Sequence, residues 1–206
     1  LELGRLVERG VSPMTLAAVQ DSHDRACLAI TEGQYLDMTF ENRVDVVEAD
    51  YLRMVRGKTA ALLAASTRIG AQVAGAGPEM VEGLTRFGEV VGLAFQIADD
   101  GLGIWGDPRL TGKQAANDIR RRKKSLPVAY AFERARGEAA RDLARLYRQS
   151  SLGDADVARV LAILDEVGAR EHAELLADHY HAQALSLLEP LNATEAGATL
   201  RELTQS

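Results

Sequence analysis

Along almost the whole chain, apolar residues recur every three or four positions, which is the pattern of amphipathic helices. The alternation of apolar and polar residues that marks half-buried strands is absent. Clusters of glycine and proline interrupt the helical pattern and predict where helices end. We therefore expect a helix that ends near Arg9 and further helices from Ser12-Pro13 to about Glu41, from about Glu48 to Val73, and from Glu79 to Leu102.

The least regular stretch of the chain is residues 103–126. A helix is predicted directly after it, because Ser125 is a good N-cap and Pro127 suits a first helical turn. Three or four further helices follow in the remainder of the chain. Since no repeat and no long linker divides the sequence, we predict one all-α domain over residues 1–206, folded as a single helical bundle.

Composition narrows the possible functions. The formal net charge of −6 and the scarcity of aromatic residues (5%) argue against a nucleic-acid partner. No apolar stretch approaches the roughly 18 residues that are needed to span a bilayer. The single cysteine, Cys27, excludes an internal disulfide and fits a reducing compartment, so we expect a cytoplasmic protein.

The segment Phe95-Gln96-Ile97-Ala98-Asp99-Asp100 carries the strongest chemical signal. On a helix, one apolar stripe is expected to face the core. Its members are Phe87, Val90, Val91, Ala94, Phe95, Ala98 and Leu102. A second stripe beside it, with Asp100 at its edge, contains Gly88, Gly92, Gln96, Asp99 and Gly103.

Two carboxylates near an apolar interior require a cation close by. Mg²⁺ suits carboxylates combined with a polyphosphate, which makes Asp99 and Asp100 candidate metal ligands. Gly88 and Gly92 would then leave room above the metal for an apolar substrate tail. An Asp-Asp helix end, with glycines for close helix packing, explains the same residues equally well.

Two further groups of polar residues could support such a site. Lys58 and Thr59 follow Gly57, which costs a helix roughly 1 kcal/mol relative to Ala, and the lysine could reach a phosphate. A lysine that extends past the core to water is the simpler alternative. Gln34 and Asp37 share a helix face and could orient metal-bound water, although an exposed polar face is as plausible.

The irregular segment adds a group of cations. It contains Lys113, Asp118 and the basic run Arg120–Lys124. Cations a dozen or more residues after an acidic pair fit a diphosphate held between the two groups, and a solvated basic turn is the alternative. The histidines lack the spacing of a zinc site, and His172, His179 and His181 are expected on exposed helix faces.

The order of these motifs resembles the trans-isoprenyl diphosphate synthase family. The similarity is clearest from about Gly33 to Ala131. It rests on five groups that follow the family's order: Gly33-Gln34-x-x-Asp37, Lys58-Thr59, Phe95-Gln96-x-x-Asp99-Asp100, Gly106-Asp107-Pro108 with Thr111-Gly112-Lys113, and Lys123 before Ser125-Leu126-Pro127.

The resemblance implies the isoprenoid synthase type of helical bundle, here lacking its amino-terminal helices, and a role for each matching residue. Asp99 falls on the Mg²⁺-binding aspartate, and Asp100 follows it in the same motif. The other matches are Lys58, Lys113 and Lys123 on diphosphate-binding lysines, Thr59 and Gln96 on residues that line the allylic site, and Gln34 and Asp37 on a pair that supports the metal cluster.

The chain departs from the family's pattern in two places. Gly103 stands where the last aspartate of the motif is usual, with Asp107 four residues later. The family's first aspartate-rich motif is expected upstream of Leu1, and Asp21-Ser22-His23-Asp24 does not match it.

The reaction implied by the resemblance is a head-to-tail condensation of an allylic diphosphate with isopentenyl diphosphate, through Mg²⁺-assisted ionisation, in a homodimer. The catalytic residues would be Lys58, Thr59, Gln96, Asp99 and Lys113. A class I terpene cyclase of the same fold and a non-catalytic partner subunit of a heteromeric prenyl synthase are the two alternatives.

Overall fold

The computed structural model describes residues 3–112, 116–191 and 194–205. Every regular element of this part of the chain is helical, which confirms the all-α prediction. Its helices all lack the combination of length and apolar character that crossing a bilayer requires. The elements are α1 (Leu3–Glu8), α2 (Pro13–Phe40), α3 (Glu48–Val55), a π-helix (Arg56–Ala60), α4 (Ala61–Val73), α5 (Pro78–Trp105), α6 (Pro108–Thr111), α7 (Asn117–Arg120), α8 (Leu126–Arg134), α9 (Gly137–Tyr147), α10 (Asp154–Glu166), α11 (Ala169–Leu187), a 3-10 helix (Glu189–Leu191) and α12 (Glu195–Gln205).

The long helices lie close to their predicted bounds, with two differences. The helix expected from Glu48 to Val73 is interrupted by the π-helix Arg56–Ala60, which contains Lys58 and Thr59. π-helical segments are rare and frequently lie at functional sites. The irregular stretch is shorter than expected, because α5 continues to Trp105 and the single-turn helices α6 and α7 follow it.

The chain forms two compact units, each built from separate stretches of sequence. The first unit contains Leu1–Gly33, Arg56–Leu93 and Tyr180–Ser206, and the second contains Gln34–Val55 and Ala94–His179. The chain passes between the units inside helices or where two helices join, so no linker separates them. The single domain expected from the sequence stays a prediction.

The core of the first unit joins the amino-terminal half of α5 to the end of α11. Phe87 and Val90 of α5 are buried together with Ala184 of α11 and Leu188, which follows it. Burial of such side chains supplies most of the free energy that holds helices together, about 25 cal/mol per Å² of apolar surface. Partly buried side chains surround this cluster: Leu84, Val91, Tyr180, Leu187, Leu191 and Leu200.

Two glycines let α2 and the π-helix touch at their backbones within the first unit. A Cβ added to Gly57 would lie 2.7 Å from the carbonyl oxygen of Ala29, and one added to Gly33 would lie 2.8 Å from Cα of Lys58. Both distances are too short for any side chain. Gly57, which weakens the helix by its own propensity, is therefore required by this close crossing, and the crossing fixes the backbone of Lys58.

Gly88 and Gly92 of α5 also serve close packing within the first unit. A Cβ added to Gly88 would lie 2.7 Å from the carbonyl carbon of Leu63, and one added to Gly92 would lie 2.5 Å from Cα of Ala60. The interpretation that these glycines leave room for a substrate tail is therefore wrong. The space beside them is filled by the backbones of α4 and the π-helix.

The second unit is organised around α8, α9 and α10. Its core consists of buried side chains from these helices and from the segment before them: Ile104, Ile119, Val128, Leu143, Leu146, Val160, Ile163 and Leu164. Polar contacts join further helices at its margin. Nε2 of His172 lies 2.7 Å from the carboxylate of Glu48, and its ring stacks on Tyr130 with centroids 4.0 Å apart. His172 is thus partly buried, contrary to expectation, because its ring has partners on α3 and α8.

The carboxyl-terminal half of α5 turns a different face to the core than the sequence predicts. Phe95 and Leu102, expected to be buried, are 62% and 58% exposed, and Ala98 is exposed with them. The buried positions are Leu93, Ile97, Asp100 and Ile104. The prediction failed because it treated Asp100 as polar and therefore peripheral, whereas a charged partner allows this aspartate to lie inside.

We predict that Gly92→Ala destabilises the protein by about 1–3 kcal/mol, because its methyl group collides with the backbone at Ala60. Gly83→Ala on the same helix is the matched control, since a Cβ there meets nothing within 4 Å. The control should be neutral or up to about 1 kcal/mol more stable, as helix propensity favours alanine. Chemical denaturation followed by circular dichroism measures both; equal effects of the two substitutions would contradict the packing argument.

Candidate functional site

The two carboxylates of the acidic pair on α5 lie in different environments. Asp100 is completely buried, whereas Asp99 is partly exposed. Oδ1 of Asp100 accepts hydrogen bonds from Nζ of Lys123 at 2.7 Å and from Nε2 of Gln96 at 3.2 Å. Oδ2 accepts one from the backbone N–H of Leu126 at 3.0 Å. Asp100 therefore points into the second unit with donors on both oxygens, whereas Asp99 is partly exposed.

Lys123 balances the buried charge of Asp100. Its Nζ also lies 3.3 Å from Oδ2 of Asp118. Burial alone would lower the pKa of this amine, but the attraction of Asp100 and Asp118 outweighs burial and raises the pKa above its usual range. Lys123 is therefore a permanent cation that two carboxylates share.

Tyr51 of α3 lies beside the same carboxylates. It is completely buried, and burial is the main reason why the pKa of its phenol lies well above the usual value. The negative charges of Asp100, Asp99 and Asp118 raise that pKa further. The tyrosine is thus neutral, and its buried hydroxyl lies close enough to all three carboxylates for their charges to affect its pKa.

Lys124, the next residue after Lys123, is anchored by different groups. Its Nζ donates to the backbone oxygens of Glu41 at 3.2 Å and Arg122 at 3.4 Å, and lies 4.9 Å from the centre of the Tyr147 ring. Burial lowers the pKa of this amine to about 8, and the charge of Arg122 contributes to the lowering. Lys124 connects the basic segment to the end of α2, and this contact helps to position the backbone of its neighbour Lys123.

The other predicted site residues are distributed over both units. Lys58 and Thr59 lie half-buried in the π-helix of the first unit. In the second unit, Gln34 is exposed and Asp37 is partly buried in the last turns of α2. Lys113 lies outside the described residues. Within the described residues, no three histidine, cysteine, aspartate or glutamate side chains come together as a metal-binding group.

Three residues around Asp100 and Lys123 had no individual role predicted from the sequence: Tyr51, Asp118 and Lys124. Tyr51 carried no signal, since it reads as an ordinary core residue. Asp118 and Lys124 were recognised only as parts of a charged segment. Lys124 carried no local signal either, because Glu41 and Tyr147, which it contacts, lie far from it in the sequence.

Comparison with known sequences identifies the family of this chain. The sequence model of the family described as "Polyprenyl synthetase" matches residues 11–164, which is most of the chain. The chain belongs to this family.

Among its relatives, the geranylgeranyl diphosphate synthase of Mycobacterium tuberculosis is 43% identical over 164 residues, which cover 79% of this chain and 47% of that protein. The geranylfarnesyl diphosphate synthase of Aeropyrum pernix is 43% identical over 171 residues, 83% of this chain and 52% of that protein. The chain thus spans about half the length of these relatives.

Solved polyprenyl synthetase structures have the same fold. The polyprenyl synthetase of Streptomyces coelicolor A3(2) superposes with a TM-score of 0.87 at 32% identity, covering 98% of this chain and 62% of that one. Geranylgeranyl pyrophosphate synthase from Corynebacterium glutamicum, solved as a complex with isoprenyl diphosphate and magnesium, superposes with a TM-score of 0.83 at 31% identity, covering 96% of this chain and 56% of that one. These likenesses confirm the isoprenoid synthase fold of this family member.

In this family member we predict that Asp100→Ala costs about 3–5 kcal/mol of stability, since it removes one partner of a buried ion pair. The substitution also leaves the backbone N–H of Leu126 without its acceptor. Asp99→Ala is the neighbouring control and should cost much less, because that side chain is partly exposed. Urea denaturation gives both values. A loss of stability in Asp99→Ala as large as that in Asp100→Ala would refute the conclusion that the two carboxylates lie in different environments.

We also predict that Lys124 makes stability rise with pH between about 8 and 10.5. In this window the unfolded chain keeps the proton of Lys124 and the folded chain has lost it, so raising the pH favours folding. The rise should be on the order of 1–2 kcal/mol, less than the full pKa difference implies, because two carbonyl oxygens still hold the charged amine.

The measurement for Lys124 compares the wild type with Lys124→Met by denaturation at several pH values. Lys123 does not disturb the comparison, since its raised pKa keeps it charged throughout this window. The difference in stability between the two proteins should shift in favour of the wild type as the pH rises. Parallel pH profiles would show that Lys124 does not titrate in this range.

Proposed function

We propose that the protein to which this chain belongs is a trans-prenyl diphosphate synthase, which condenses an allylic diphosphate with isopentenyl diphosphate head to tail. The single observation that carries the proposal is the division of the acidic pair on α5. Asp100 is buried and held by Lys123 and Leu126, whereas Asp99 is partly exposed, and we assign Asp99 as the carboxylate for a metal–diphosphate complex. The names of the relatives, which are diphosphate synthases, support the same reaction.

The donor chemistry at Asp99 suits Mg²⁺. This cation usually takes only one or two protein carboxylates and completes its coordination with water and substrate phosphate oxygens. Asp99 would hold it, with Gln34 and Asp37 orienting its water ligands. Asp100, whose two oxygens already accept hydrogen bonds, would have a structural role. Mg²⁺ would supply positive charge where the departing diphosphate becomes more negative.

The residues of this chain supply the remaining functions. Lys58 would bind a diphosphate oxygen as a point charge, with Thr59 beside it, and the crossing at Gly33 and Gly57 holds their backbone in place. Lys113 would also bind a diphosphate oxygen. Gln96 donates to Asp100 and so fixes the helix turn next to Asp99.

Cations placed in advance around a leaving group stabilise the charge that develops on it, and in many enzymes such stabilisation contributes more to the rate than any other effect. The relatives named above favour a synthase over a terpene cyclase or a non-catalytic subunit. We also propose, from the family resemblance, that the full protein acts as a homodimer in the cytoplasm.

We predict that Asp99→Ala in the full-length protein lowers turnover by roughly 10²–10³-fold, the usual effect of losing one contact that stabilises developing charge. Condensation is measured with radiolabelled isopentenyl diphosphate, an allylic diphosphate and Mg²⁺, and circular dichroism checks the fold. Asp178→Ala, which removes an exposed carboxylate from α11, is the control and should behave like the wild type.

Two outcomes would count against the proposal. A folded Asp99→Ala protein with turnover near that of the wild type would remove Asp99 from the reaction. A cyclic hydrocarbon or alcohol, formed from the allylic diphosphate alone, would identify a cyclase instead of a synthase.

A further inference from the structure

The position of Gly103 on α5 is filled by a side chain from another helix. A Cβ added to Gly103 would lie 2.6 Å from the carboxyl carbon of Asp118. The carboxylate of Asp118, which belongs to α7, therefore rests against the bare backbone of α5 one turn after Asp99 and Asp100. Any side chain at position 103 would have to displace it.

Asp118 is bound to Lys123 in two ways. Its carboxylate lies 3.3 Å from Nζ of Lys123, and its backbone oxygen accepts the N–H of Lys123 at 2.9 Å. Its side chain is only 10% exposed, so few water molecules compete for the contact. The two ends of the segment 118–123 are thus joined by one backbone hydrogen bond and one side-chain contact.

The two carboxylates together fix the orientation of the Lys123 ammonium. A lysine ammonium carries three donors. Among the described residues, Asp100 and Asp118 accept from it, while 31% of the Lys123 side chain stays exposed. With two donors occupied, the tetrahedral geometry of the ammonium fixes the direction of the third donor.

We propose that Asp118 is a positioning residue for the reaction proposed above: it holds Lys123 against Asp100 so that the third ammonium donor is aimed at the substrate diphosphate. This inference rests on the proposed function. Gly103 contributes to this positioning, because only glycine leaves space for the Asp118 carboxylate. Asp118 acts through Lys123 and does not itself touch the substrate.

The first test is a double-mutant cycle with Asp118→Asn and Lys123→Met in the full-length protein. Asn keeps the shape of Asp and removes its charge, so the fold should be retained. We expect Asp118→Asn to lower kcat roughly tenfold, with a smaller change in KM for the allylic diphosphate, as supporting groups around a site typically cost 10–100-fold. In the Lys123→Met background the same change should have almost no effect on kcat, because the side chain through which Asp118 acts is gone.

The second test displaces the carboxylate and keeps both partners. Gly103→Ala should lower kcat to a similar extent as Asp118→Asn, since its methyl group pushes Asp118 away. Gly101→Ala, two residues earlier on α5, is the matched control and should retain wild-type kcat, because a Cβ there meets nothing within 4 Å. Circular dichroism and thermal unfolding establish which variants are folded.

The outcomes separate this inference from the proposed function. A wild-type protein without condensation activity overturns the proposed function, and the role of Asp118 falls with it. If the wild type is active and the fold-losses of kcat from the two substitutions multiply in the double variant, Asp118 acts independently of Lys123. That result overturns the positioning role of Asp118 and leaves the proposed function intact. A folded Gly103→Ala protein with wild-type kcat would do the same.

Discussion

The buried ion pair between Asp100 and Lys123 is the interaction on which the second unit depends. An isolated carboxylate inside a protein is costly, and here the cost is offset by an ammonium at 2.7 Å, an amide from Gln96 and the backbone N–H of Leu126. These donors come from three separate places in the sequence. The contacts of Asp100 therefore join α5 to the basic segment and to the start of α8. They can form only when these three parts of the chain are correctly positioned.

Helix geometry explains why neighbouring aspartates have different roles. Successive residues on an α-helix are rotated by about 100°, so Asp99 and Asp100 cannot face the same surroundings. Once Ile97 and Ile104 define the buried side of α5, Asp100 must lie among them and Asp99 at the flank. The inner carboxylate then stabilises the fold, and the outer one lies partly exposed at the flank.

The sequence predicted the helices well and the orientation of α5 poorly. Proline and capping residues are local signals, which is why the starts of α2 and α8 could be read directly. Whether Asp100 can lie on the buried face of α5 depends on Lys123, which is 23 positions after it in the sequence, and no local pattern contains that information. The order of motifs supplied the family and the candidate residues. It could not show that Gly88 and Gly92 serve packing, because the backbones they contact belong to other helices.

The same reasoning applies to Lys123 and Lys124, which form the cationic counterpart of the acidic pair. One ammonium is held by carboxylates, which keep it charged, and the other by carbonyl oxygens and the Tyr147 ring, where burial lowers its pKa. Two adjacent like charges can be buried together only if each has its own partners, because otherwise their repulsion and desolvation would add. The anchored Lys124 therefore makes it possible for Lys123 to stay inside the unit, partly exposed and fully charged, which is the state that binding a diphosphate requires.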